Sequence, residues 1–130
     1  MENIDYKTKL WLALMKFGEI WGCHQMPERS FTVKGYQFPL CARCTGVLIG
    51  HAGGLLACTK LKVPVIAAFT DCFVMFADWL VQALGIKEST NNRRLVTGII
   101  GGFGAAVIWS KGISVVSRRL TKNSEGKNGY

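Results

Sequence analysis

The chemistry-bearing residues sit in two short stretches, "WGCHQMPERSF" (21–31) and "FPLCARCTG" (38–46). Cys41 and Cys44 form a C-x-x-C pair, and Cys23 lies eighteen residues before Cys41, next to His24. Three thiolates and one imidazole make a tetrahedral zinc set. Cys23 and His24 are adjacent, however, and adjacent side chains tend to diverge, so both reach one ion only across a turn. With His24 off the metal, the fourth position falls to water or a carboxylate, which would make the site catalytic rather than structural. Two simpler readings compete: a zinc staple that only folds this segment, and a Cys41–Cys44 disulfide that leaves Cys23 free.

Around such an ion, Arg29, Arg43 and Arg94 would bind an anionic group. His24, Glu88 or Asp78 would serve as general base. Ser89, Thr90 and Asn91 would add neutral hydrogen bonds, and Gln82 shares a helical face with Asp78 at i, i+4. Zinc there would polarise a bound water, carbonyl or phosphoryl group. Three thiolates make it a softer Lewis acid than three imidazoles would.

The elements that position these residues are apolar. The 130-residue chain is 49% hydrophobic yet carries a net charge of +8, so apolar and basic residues must be segregated. At this length it holds one small domain. The run 63–86 is about 36 Å long as a helix, enough to cross a hydrocarbon core of about 30 Å. A second run, 95–117, is broken by Lys111 near its end and carries Gly98, Gly101, Gly102 and Gly104, which suit close helix approach in lipid. A third, 42–61, reaches the required span once its flanking residues are included.

The expected fold is therefore all-α: an integral membrane bundle of three transmembrane helices with a Cys/His capping segment over 23–44. Residues 7–22 interleave Trp11, Phe17 and Trp21 with Lys16 and Glu19, the pattern of a helix lying in the membrane interface. The expected single domain covers 1–120, and the polar tail 121–130 is expected to be disordered.

Three crossings place the N-terminal segment and the connection "KESTNNRR" on one membrane face, so two segments distant in sequence supply one site. Which face that is stays open, because basic residues flank the helices at both ends. Within the helices, Cys58 and Cys72 read as small apolar fillers. His51 lies on the face of Cys44, and Asp71 lies on that of Asp78. The basic residues flank membrane runs, which suits lipid head groups rather than nucleic acid.

The ordered set "CHQMPERSF", "PLCARCTG", Asp78 with Gln82 and Gly85, and "ESTNNRRLVTG" resembles a family of small prokaryotic membrane proteins catalogued as a domain of unknown function. The resemblance covers about residues 20 to 104 and implies a multi-helix membrane protein, with no reaction attached. Three functions fit the residues. The first is a zinc-dependent membrane enzyme acting on an anionic, membrane-adjacent lipid or other small molecule. The second is a metal-handling or metal-sensing protein; a pore in three helices would require a homo-oligomer. The third is a thiol–disulfide exchange protein.

Overall fold

The computed structural model describes residues 5–127. Helix α1 spans Tyr6–Ile20, and a 3-10 turn at Pro27–Arg29 leads into strands β1 (Ser30–Val33) and β2 (Tyr36–Cys41). Helices α2 (Ala42–Lys60), α3 (Val65–Ala83) and α4 (Asn91–Lys127) follow.

Helix α4 lies between α2 and α3. Its small residues explain how. A Cβ on Gly46 would meet the Leu95 carbonyl oxygen, one on Gly50 that of Ile99, and one on Gly102 that of Val47. Four-residue spacing keeps Gly46, Gly50 and Gly54 on one stripe of α2, and the two backbones meet where side chains would otherwise separate them. On the other side of α4, Gly104 packs against the backbone of Ala68, and a Cβ on Gly101 would lie 2.6 Å from that of Met75. These pairings make α2 parallel and α3 antiparallel to α4. The first turn of α2, the last of α3 and the first of α4 therefore share one end of the bundle.

The apolar residues face outward. Ile66, Phe69, Phe73 and Phe76 form an exposed stripe on α3, and only 11% of its apolar window is buried. A soluble domain of this size would cover such a stripe; a bilayer solvates it. Two helices, α3 and the Asn91–Ser124 stretch of α4, are long and apolar enough to cross a membrane. The expected third span matches α2 in position, but glycine and polar residues leave α2 outside that class.

The expectation of an all-α chain needs correction. Residues 30–41 form an antiparallel hairpin pairing Ser30 with Cys41, Thr32 with Gln37 and Val33 with Tyr36. Its two-residue turn is Lys34–Gly35, with φ of 51° and 83°. Both values are positive, as the hairpin turn matching strand twist requires, and glycine takes the second position without strain. A disordered tail was expected from residue 121, yet α4 continues to Lys127; the rest of that tail lies outside the described residues.

Helix α1 docks on the hairpin. Thr8, Trp11, Met15 and Gly18 form its inward stripe, and the Trp11 indole donates to the Gln37 carbonyl at 2.7 Å. Leu10, Leu14, Phe17, Ile20 and Trp21 stay exposed, an apolar surface fitted to the membrane interface.

Candidate metal and anion site

Cys23 is placed by the end of α1. Gly22, at φ 76°, lets the Gly22 and Cys23 amides return to the carbonyls of Glu19 and Gly18 at 2.9 and 3.2 Å. This closes the helix with a left-handed glycine and turns the chain sharply. Gln25 then locks the turn. Its amide nitrogen donates to the carbonyls of Met15 at 2.5 Å and Pro39 at 2.8 Å. Its own carbonyl accepts from Gln37 Nε2 at 2.6 Å. The φ of 48° at Gln25 is costly for a side chain with a Cβ, and these three bonds hold it there.

The hairpin delivers the other two thiols. Cys41 ends β2 and caps α2, its Sγ accepting from the Cys44 amide at 3.4 Å. Cys23 Sγ accepts from the Cys41 amide at 3.2 Å. The three Sγ atoms lie within 4.8 Å of one another. Zinc with sulfur ligands at about 2.3 Å in a tetrahedron needs sulfurs about 3.8 Å apart, about an ångström closer than the widest separation this limit allows. This group could hold a metal ion. The Cys44 thiol and amide, with the Cys23 thiol, bring the pKa of Cys41 down to about 5, against the opposing effect of burial. Amide donors and a helix start favour thiolate.

A cavity of about 310 Å³ opens beside the thiols, lined by Cys23, His24, Arg29, Cys41, Arg43, Cys44, Trp79, Gln82 and Arg94 among others. His24 stands exposed on its wall, outside the thiol cluster. With its oxygen turned toward donors, the Gln82 amide accepts from Arg94 Nη2 at 2.9 Å and Arg29 Nη2 at 3.2 Å. Arg94, only 6% exposed, also donates to Asn91 Oδ1 at 3.0 Å, and the Asn91 amide reaches the Ser30 carbonyl at 3.5 Å.

Asp78 is the acidic centre of this end. Its Oδ2 accepts from Arg43 Nη2 at 2.8 Å and from the Ser89 hydroxyl at 3.3 Å, while Oδ1 pairs with Arg93 Nε at 2.6 Å. Thr97 Oγ1 lies 3.4 Å from Oδ2 and 2.9 Å from the Arg93 carbonyl; its single proton serves one of them. The clamp thus joins α2, α3, the connection before α4, and α4 itself. A Schellman closure at Gly85 (φ 70°) ends α3 and frees that connection.

Most expected site residues converge here, and some do not. Cys23, Cys41, Cys44, His24, Arg29, Arg43, Gln82 and Arg94 share the cavity wall. Asp78, Ser89 and Asn91 stand behind it as partners of its arginines or of one another. Thr90 faces outward and caps α4, accepting from the Arg93 amide at 3.3 Å. Glu88 is exposed and off the cavity wall. Sequence reasoning missed Arg93 as a partner of Asp78 and Gln25 as the lock on the thiol loop. A basic residue at the start of one helix opposite an acid near the end of another was the available signal for Arg93.

The architecture meets its relatives at this point. Residues 23–108 match the family model described as "Predicted membrane protein (DUF2085)". The chain belongs to this family. The matched stretch begins at Cys23 and contains all three thiols together with Arg29, Arg43, Arg93 and Arg94. An uncharacterized protein of Methanothermobacter thermautotrophicus is 35% identical over 102 residues, covering 75% of this chain and 90% of that one. Uncharacterized protein MJ1492 of Methanocaldococcus jannaschii is 36% identical over 91 residues, covering 62% of this chain and 56% of its own length. No solved structure matches. Family and outward apolar helices agree that this is a membrane protein.

Proposed function

We propose that this membrane protein holds a zinc ion through Cys23, Cys41 and Cys44 at one membrane face and acts there on an anionic, membrane-adjacent substrate. The observation that carries the reading is the approach of three Sγ atoms to within 4.8 Å at the wall of an arginine-lined cavity. Thiolates select a soft or borderline ion such as zinc over magnesium or calcium. With three protein ligands, a bound zinc would keep a fourth position for water or substrate, as in catalytic zinc sites. Zinc bound there would supply Lewis acidity.

The chain's own residues take the remaining roles. Arg29, Arg43 and Arg94 orient the anionic group, and Gln82 holds two of them. His24, on the cavity wall, is the best placed of the three acid–base candidates. Asp78 acts as a positioning residue, because two guanidinium groups already occupy it. Glu88 stands too exposed to work inside the cavity. In the membrane, α2, α3 and α4 form three crossings: α2 follows α4 along its glycine stripe, and α1 lies in the interface.

The test is elemental analysis of detergent-purified protein made without added metal, beside a Cys41→Ser/Cys44→Ser variant. About one zinc per chain, lost in the variant, is expected. A metal-free wild-type protein with two fewer free thiols would replace the metal reading with a disulfide.

A further inference from the structure

We infer that Arg29 and Arg94, joined through Gln82, form a binding site for a dianionic phosphate group presented at the membrane surface. The inference rests on the metal reading above for its charge count and deepens it by naming the substrate class.

The first argument is an unbalanced pair of cations. Arg29 and Arg94 approach one neutral amide oxygen at 3.2 and 2.9 Å, and neither meets a carboxylate among the described residues. Arg94 is nearly fully buried. A buried guanidinium is stable when paired, and a second cation drawn to the same acceptor raises the need for an anion. Asp78 does not meet that need, since Arg43 and Arg93 already claim it. Arg43 adds a further donor: its Nε is buried without a partner.

The second argument is charge. Two guanidinium groups pair with Asp78 and two more share the Gln82 oxygen, four cations to one carboxylate, and a zinc tris-thiolate would contribute one net negative charge. Two positive charges remain, which a dianion neutralises and a monoanion does not. The third is shape. The three cavity arginines come from the turn before β1, from α2 and from α4, so their donors arrive from different directions. A carboxylate offers two coplanar oxygens, whereas a phosphate monoester presents oxygens in several directions. The cavity, at about 310 Å³, has the size of the smaller ligand pockets. It lies at the helix ends, where lipid phosphates sit, with Met26 and Trp79 forming an apolar part of its wall.

The shared chemistry is a phosphate monoester, from a lipid head group or from solution. The experiment uses the full-length protein as purified, without added metal, in nanodiscs and compares wild type with Arg29→Gln, a change at an exposed side chain that spares the helices. In one arm, discs of neutral phosphatidylcholine are titrated with inorganic phosphate by calorimetry. In the other, discs carry phosphatidic acid, and the thermal midpoint is compared with that in neutral discs. Saturable binding at one site, weakened about tenfold or more by Arg29→Gln, is expected, as for loss of a charge-assisted hydrogen bond. A midpoint rise in phosphatidic acid that suppresses the phosphate heat identifies the lipid as the source; phosphate heat that phosphatidic acid leaves intact identifies a soluble ligand. Absence of an effect in both arms, or equal effects in wild type and Arg29→Gln, would overturn the inference. Zinc is measured on the same samples. Zinc retained without anion binding sinks the phosphate site alone, and Arg29-dependent binding without zinc supports the site while sinking the metal reading.

Discussion

Two polar centres occupy one end of this molecule and are built in opposite ways. The thiol centre comes from one continuous stretch, residues 23–44, folded by a hairpin that runs into the first turn of α2. The Asp78 clamp comes from α2, α3, α4 and a connection, and forms only when those helices have packed. Arg43 links them: it stands between Cys41 and Cys44 in sequence and pairs with Asp78 across 35 positions of chain. A local segment can thus be shaped for ligand binding with little effect on the bundle, while the clamp ties that segment to the membrane core.

The sharpest break of this comparison is Asp78→Ala. It leaves Arg43, largely buried, without its partner and should cost about 3–5 kcal/mol, as for removal of one partner from a buried ion pair. A fall in thermal midpoint in detergent checks it. Adding Arg43→Met should recover part of the loss, because it removes one of the stranded charges. A midpoint unchanged by Asp78→Ala would make the clamp a surface-like pair.

Next in size is Gly50→Leu, whose side chain must enter the space held by the Ile99 carbonyl and the Phe103 amide. Overpacking of this kind costs about 1–3 kcal/mol or more. The same substitution at Gly53, where the nearest side-chain atom is 4.0 Å away, should be nearly neutral. Equal effects at the two positions would deny that α2 and α4 meet along this stripe.

Cys23→Ser should separate the two centres. Zinc affinity should fall by at least about 100-fold, since even the loss of a group supporting a metal ligand costs 10–100-fold. Helix content by circular dichroism should stay the same, because the bundle does not rest on the thiol segment. Loss of both would merge the two centres into one folding unit.

The comparison also explains what was legible in the sequence. Cys23, Cys41 and Cys44 were found from spacing alone, because local chemistry leaves a local pattern. The runs 42–61 and 63–86 contain helices α2 at Ala42–Lys60 and α3 at Val65–Ala83, and of these two α3 alone has the length and apolarity of a membrane span. The hairpin was missed although "TVKGYQF" carries its signs, β-favouring residues on both sides of Lys-Gly. Arg93 escaped because its partner Asp78 lies fifteen residues away on another helix, and Arg94 beside it offers the same charge at the same helix start. The adjacency of His24 to Cys23 suggests a ligand; His24 lines the cavity but stands outside the group of three thiols.

A smaller effect concerns the thiols themselves. In metal-stripped protein, Cys41, with its pKa near 5, should be mostly thiolate at pH 6, whereas an ordinary cysteine near 8.5 is almost wholly protonated there. Iodoacetamide labelling read by peptide mass spectrometry should place Cys41 ahead of Cys58 at pH 6, with the preference fading as pH falls through 5. Zinc should abolish it. Equal labelling of Cys41 and Cys58 at pH 6 would remove the hydrogen-bonded thiolate from the account.

The most direct test of the central claim is zinc K-edge X-ray absorption on the protein as purified. Three sulfur ligands at about 2.3 Å and one nitrogen or oxygen ligand at about 2.0–2.1 Å are expected. A shell of four sulfurs would close the position that the cavity is said to serve, and a shell without sulfur would contradict the thiol centre altogether.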